Sequence, residues 1–238
     1  MVLCGSAWVE ETFRQLDAGI VIDWRAHEGD AVAANSTLLT LRGAARPILT
    51  GERCALNFLQ TLSGTATVTR RYVEAVAGTG CQVLDTRKTL PGLRTAQKYA
   101  VRCGGGRNHR MGLHDMVLLK ENHIIAAGSI AAALQQARSL APGVPVEIEV
   151  ETLDEFRAAL SARPDVIMLD EFSAADMRTA VQLRNAGDRS VKIEASGGVD
   201  LAGIRAMAQT GVDHISVGAL TKHVQAIDLS LRFDLDPA

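Results

Sequence analysis

From residue 81 onward, short apolar runs alternate with segments in which Ala and Leu recur at helical spacing. Six runs stand out: CQVLD (81–85), MVLLK (116–120), VEIEV (146–150), VIMLD (166–170), VKIEA (191–195) and HISVG (214–218). Between them, residues 95–103, 130–140, 153–162, 174–185 and 201–209 carry the period of amphipathic helices. Strand and helix units repeated at this length predict a parallel sheet. The runs show few alternating polar positions, as strands covered on both faces do. Asp85, Lys120, Glu149, Asp170, Glu194 and Ser216 each fall at or just before the C-terminal end of a run. In an α/β barrel those ends converge on one mouth, so the pattern favours a parallel α/β barrel, TIM-like but incomplete, over an open sheet.

The portion before residue 81 reads differently. Thr50 is taken as an N-cap with Glu52 in the first turn, and Ala55, Phe58, Leu59 and Leu62 follow at i, i+3, i+4, i+7 spacing. This predicts a helix leading into the barrel. Upstream, GIVIDW, a turn at Gly29 and Asp30, and TLLTLRG predict strands of a small sheet. The expected organisation is a small α+β open-faced sandwich from 1–55, with 224–238 returning to it, and a catalytic barrel from 56–223.

Composition narrows the class. A chain of 238 residues that is 47% hydrophobic buries a full core, and its apolar runs break well before membrane-spanning length. The start, MVLCGSAWVEETF, has neither a basic opening nor an apolar block with a cleavage pattern, so no signal peptide is expected. Cys4, Cys54, Cys81 and Cys103 are far apart in sequence and form no CxxC or Cys/His ligand spacing, which predicts free thiols and a cytoplasmic location. Aromatics at 4% argue against a stacking platform for nucleic acid, and neither a nucleic-acid nor a membrane partner is expected.

Charge is where the chain departs from the ordinary. Between Asp85 and Asn122, eight Lys and Arg stand against three acids, a local +5 in a protein of net charge −2. Two cations about 6 Å apart at an effective dielectric near 20 repel by roughly 3 kcal/mol, so gathering them calls for an anion. The cations sit in separate motifs, TRK, NHR and LLK, which folding can bring to one pocket.

Each candidate has a plain reading beside the functional one. Arg87 and Lys88 follow a strand end, where a guanidinium fork and a mobile ammonium suit carboxylate or phosphate; a solvated loop is the alternative, and Asp85 offers a partner that orients them. Gly104, Gly105 and Gly106 end a helix, for which one glycine suffices; three allow close backbone approach before His109 and Arg110. Glu149 and Asp170 end successive strands, as acids that hold Mg²⁺ or pair with nearby cations do. Glu147 and Glu151 share the parity of Glu149, so the choice among them is open. Ser196, Gly197 and Gly198, like Ser216 and Gly218, are small residues at the last two strand ends, where barrels bind phosphate.

Taken together, DTRKTLPGLR, CGGGRNHRMGLHDMVLLKENHI, EVE, IMLDEF, ASGGV, ISVGALTKH and the upstream GERCALNFLQTLSG resemble the quinolinate phosphoribosyltransferase family over essentially the whole chain. The resemblance implies reaction of quinolinate with phosphoribosyl pyrophosphate to give nicotinate mononucleotide, pyrophosphate and carbon dioxide in NAD synthesis, with Mg²⁺ as cofactor. It implies that Arg87, Lys88, His109, Arg110 and Lys120 hold the dicarboxylate and the phosphates, and that Arg53 enters from a neighbouring subunit of a homodimer or higher homo-oligomer with a shared active site. Glu149 and Asp170 lie near the ribose and metal, and Ser196 to Gly198 and Ser216 to Gly218 line the phosphate end. Lys88, Lys120, Glu149 and Asp170 form the catalytic set, the lysines as charged binders. The family pattern begins several tens of residues before Met1, so a thinner small domain is expected. Glu171 stands where Asn is common, and Lys222 where His is common. A nicotinate-type transferase, a catalytically silent barrel and a lyase forming an imine at Lys120 remain as alternatives.

Overall fold

The computed structural model describes residues 1–233. In chain order its elements are α1 (Ser6–Leu16), β1 (Val21–Trp24), β2 (Leu39–Arg42), α2 (Ala45–Ala75), β3 (Gln82–Leu84), α3 (Arg94–Cys103), β4 (Val117–Leu119), α4 (Glu121–Ala127), α5 (Ile130–Leu140), β5 (Val146–Val150), α6 (Leu153–Ala162), β6 (Val166–Asp170), α7 (Ala174–Ala186), β7 (Lys192–Ser196), α8 (Ile204–Ala208), β8 (His214–Ser216) and α9 (Ala219–Lys222).

All six expected strands form one parallel sheet, ordered β3-β8-β7-β6-β5-β4. Its outer strands, β3 and β4, do not pair with each other; Arg107 instead makes a parallel bridge to Leu84 on the free edge of β3. The barrel is therefore incomplete. Registers such as Ile148↔Ile167, Ile167↔Ile193 and Ala195↔Ile215 place an apolar row on one face, toward the helices. Each such fully buried isoleucine contributes about 1.5–3 kcal/mol of hydrophobic stabilisation.

The opposite face corrects the reading of the strands as uniformly apolar. Glu147, Glu149, Met168, Asp170, Glu194, Ser196, His214 and Ser216 share it by register. VEIEV and KIEAS alternate strictly, because the barrel interior is polar near its mouth. Glu194 is a second correction: β7 runs on to Ser196, so this acid lies mid-strand, one layer below the rim.

Side-chain caps fix the starts of three helices, two of them, α6 and α7, directly after strands. Ser129, Thr152 and Ser173 side chains accept the backbone N–H of Ala132, Glu155 and Asp176 at 3.1, 3.2 and 3.1 Å, each cap contributing about 1 kcal/mol.

In the N-terminal part, β1 and β2 pair antiparallel, from Val21↔Arg42 to Trp24↔Leu39. They cover a cluster of Leu3, Val9, Phe13, Ala55 and Leu59, which also receives Leu229 from the returning chain. That return passes along α2, where the Ile227 N–H donates to the Gln60 carbonyl at 3.0 Å. Of the expected return of 224–238, residues 234–238 lie outside the described residues. Thr50 is not a helix cap: α2 begins at Ala45, and the Thr50 hydroxyl donates to the Arg46 carbonyl at 2.9 Å inside the helix. Helix α1, which packs beside α2, is not among the expected elements, although Val9, Phe13 and Leu16 recur at i, i+4, i+7 and the first two are buried. No described helix is long and apolar enough to cross a membrane.

Candidate active site

The first wall of the site hangs on Asp85, just beyond β3 and fully buried. It does not orient Arg87 and Lys88 as expected. Its carboxylate instead pairs with Lys98 of α3, accepts Asn108 Nδ2 at 2.6 Å, and accepts the His109 N–H at 2.9 Å. The strand-like contact continues below, where the Arg107 N–H donates to Val83 O at 2.9 Å and the Asp85 N–H to Arg107 O at 3.1 Å. Strand end and NHR loop are thus locked together.

The glycine triplet explains how that loop comes so close to α2. A Cβ on Gly104 would stand 2.5 Å from the Ala66 carbonyl oxygen and 2.6 Å from Thr69 Cβ, and one on Gly106 2.8 Å from Thr69 Cγ2. Gly105 between them has φ +90°, a left-handed conformation that glycine adopts readily. Two glycines serve packing and one serves the turn.

His109 turns downward. Its Nε2 lies 2.7 Å from Glu147 Oε2 and 3.6 Å from Glu194 Oε2, while Nδ1 accepts the Arg110 N–H at 2.7 Å. Arg110 is buried, and its side chain donates to the Met116 carbonyl at 3.4 Å. Burial first, then the nearby charge of Arg87, hold its guanidinium below its ordinary pKa.

Arg87 and Lys88 are exposed on the loop after β3. That loop is tied from beneath: Thr221 Oγ1 donates to Lys88 O at 2.9 Å, and the Leu90 N–H donates to Gln97 Oε1 at 2.8 Å. Arg94, not anticipated as a site residue, bridges two walls by donating to Thr89 Oγ1, Arg87 O and Met111 O at 3.3, 3.2 and 3.4 Å. Its place in DTRKTLPGLR was the available signal.

Lys120 follows β4 directly, and its ammonium meets Glu149 Oε2 at 2.5 Å. Its backbone N–H donates to His123 Nδ1 at 3.0 Å, which fixes the start of α4. Asp170 ends β6 in register with Ser196. Gly197 is at φ +93°, and a Cβ there would stand 2.9 Å from the Glu171 backbone nitrogen. Gly218 lies against Lys88, whose Cδ would be 3.2 Å from a Cβ at that position. Ser216 ends β8 and is buried.

The structure therefore brings Arg87, Lys88, Arg110, Lys120, Glu149, Asp170, Ser196 to Gly198 and Ser216 to Gly218 to one rim, with His109 beneath it. It does not bring Arg53 there within this chain's described pairing: that side chain is exposed on α2, with no hydrogen bond or ion pair among the described residues. The cysteines also differ from their sequence separation. Cys4 and Cys103 come together with Glu28, their ligand atoms within 4.8 Å, although all four thiols are free.

An incomplete α/β barrel with cations and acids facing each other across its mouth defines an enzyme for polyanionic substrates. Residues 65–232 match the family model described as quinolinate phosphoribosyl transferase, C-terminal domain, and residues 1–63 that of its N-terminal domain. The nicotinate-nucleotide pyrophosphorylase [carboxylating] of Mycobacterium leprae is 46% identical over 213 residues, 90% of this chain and 75% of that protein. The structure of the nicotinate-nucleotide pyrophosphorylase from Francisella tularensis superposes with a TM-score of 0.94 at 51% identity, covering 97% of this chain and 81% of that one. NadC from Streptococcus pyogenes does so at 0.93 and 42%, covering 98% and 81%. The chain belongs to the quinolinate phosphoribosyltransferase family, a group of pentosyltransferases.

Proposed function

We propose that the chain transfers the phosphoribosyl group of phosphoribosyl pyrophosphate to quinolinate with decarboxylation, yielding nicotinate mononucleotide, pyrophosphate and carbon dioxide in NAD biosynthesis. The observation that carries this reading is Arg110. It is a buried cation with another cation beside it, and it has no carboxylate within ion-pair distance among the described residues. A dicarboxylate substrate supplies the missing charge.

Arg87, Arg110 and Lys120 bind the carboxylates of quinolinate, with His109 holding the loop under them, and Lys88 with the Ser216 to Gly218 turn binds the phosphate groups of the donor. The ring nitrogen attacks C1 of the ribose as the bond to pyrophosphate breaks, and that electron pair leaves with pyrophosphate. The bond to the adjacent carboxyl then breaks, its electrons pass to the quaternised ring, and the resulting carbanion takes up a proton. Alignment and fixed charge supply the catalysis; Lys88 and Lys120 act as charges, and no protein nucleophile is required.

Glu149 and Asp170 fit Mg²⁺, which prefers one or two carboxylates and completes its shell with substrate oxygens and water. The three-ligand clusters among the described residues include neither of them, so the donor's own oxygens would have to supply most of the shell. When bound, Mg²⁺ neutralises the charge on departing pyrophosphate. Lys120 holds Glu149 in the meantime. We also propose a cytoplasmic homodimer, or a higher homo-oligomer, in which Arg53 reaches the partner's mouth, and a division into a small sandwich (1–55 with the returning tail) and a catalytic barrel (56–223).

The direct test is turnover of quinolinate with phosphoribosyl pyrophosphate and Mg²⁺, followed as released carbon dioxide and nicotinate mononucleotide. Equal or better turnover of nicotinate without carbon dioxide rejects the reading.

A further inference from the structure

Below the rim, two acids share a sealed space with one imidazole. Glu147 and Glu194 are 0% and 1% exposed, and their oxygens and His109 Nε2 lie within 4.8 Å of one another. Glu147 Oε1 and Glu194 Oε1 have no hydrogen-bond partner among the described residues. Two carboxylate charges about 4 Å apart would repel by roughly 4 kcal/mol at an effective dielectric of 20, so burying the two acids side by side is costly. Burial first, then the neighbouring Glu147, push Glu194 well above the ordinary carboxyl range.

The ring between them has a defined tautomer. Nδ1 accepts the Arg110 N–H at 2.7 Å, so the proton of the neutral ring is on Nε2, which donates to Glu147 Oε2 at 2.7 Å. Both ring nitrogens are then committed within the protein, and neither is available to substrate. Two acids buried together are costly unless they serve a partner, and the group both of them face is this ring. The acids are accounted for by what they do to the ring.

We propose that Glu147 is a positioning residue for substrate recognition: through His109 it fixes the backbone from which Arg110 presents its guanidinium to quinolinate. The proposal rests on the reading that Arg110 binds quinolinate. It differs from Lys120–Glu149 on the rim, where the acid faces the substrates directly.

Two measurements test it. In Glu147→Gln the carboxylate oxygen 2.7 Å from Nε2 is replaced by an amide, a weaker acceptor, and the KM for quinolinate rises about 10-fold or more, while the KM for phosphoribosyl pyrophosphate changes far less. Glu194→Gln alters the acid that stands 3.6 Å from Nε2, beyond hydrogen-bond distance, and affects the quinolinate KM much less than Glu147→Gln. The reverse order, or equal effects on both substrates, overturns the proposal. Independently of any variant, ¹⁵N NMR of the wild-type His109 ring shows a protonated Nε2 and a bare Nδ1; the opposite tautomer overturns it. A wild-type chain that does not consume quinolinate rejects the functional reading, whereas an active one whose Glu147→Gln form keeps the wild-type quinolinate KM rejects this proposal alone.

Discussion

Lys98 on α3 closes onto Asp85 at the end of β3, and both side chains are sealed from solvent at 1% and 0% exposure. Removing one partner strands the other as a buried charge, which costs about 3–5 kcal/mol. Lys98→Met is expected to lose stability of that size in urea denaturation. It also frees Asn108 and the His109 N–H from a correctly placed acceptor, so activity falls even where the variant is fully folded. An unchanged denaturation midpoint would count against this role.

Glu194 makes stability depend on pH in a definite direction. Its folded pKa lies above the unfolded value, so the native state binds the extra proton. The contribution is fully present below about pH 4.3, the unfolded carboxyl value, and is lost as pH rises toward the folded pKa. For one proton the slope is about 1.4 kcal/mol per pH unit. Glu194→Gln, which has no proton to lose, is expected to gain stability over the wild type at neutral pH and to lose that gain near pH 4. Parallel stability profiles across this range would refute the assignment.

Gly104 and Gly105 are adjacent but should respond differently. Gly104→Ala drives a methyl into the Ala66 carbonyl and Thr69 of α2, an overpacking that costs about 1–3 kcal/mol and shifts backbone. At Gly105 the nearest side-chain atom to a new Cβ is 3.7 Å away, so only the left-handed backbone resists, at about 1 kcal/mol. Thermal melts of the two variants should rank Gly104→Ala as the less stable; the opposite ranking would mean the helix contact is not tight.

Subunit sharing predicts recovery on mixing two inactive proteins. In a symmetric dimer, random exchange of Arg53→Ala with Arg110→Ala leaves one intact site in each mixed dimer, or about a quarter of wild-type activity. If native mass spectrometry confirms exchange and no activity returns, Arg53 does not serve the partner's site.

Parts of this site could be read from the chain, and parts could not. The six runs marked the strands because their helix-facing positions are apolar, even where the barrel face alternates with Glu, Asp and Ser. The +5 segment pointed to a pocket but overstated it: Lys98 is spent on Asp85, and Arg94 on backbone carbonyls and Thr89. Nothing in RTAQKYAVRC says that its lysine faces inward. Parity put Glu147 and Glu149 on one face, but depth along a strand is set by register with neighbours, and only the structure separates the buried acid from the rim acid. Thr50 looked like a cap because local chemistry favours it there; α2 runs past it since its apolar face continues back to Ile48.

Helix α2 has 31 residues, an axis of about 45 Å at the usual rise per residue. Ala55 and Leu59 belong to the cluster under β1 and β2, Leu62 and Ala66 to the one with Val2 and Ala100, and Tyr72 to the barrel core. One rod is thus embedded in every apolar nucleus of the molecule. Loosening at either end is transmitted to the other as strain in a continuous backbone, so amide protons along its length should exchange together rather than in two separate blocks.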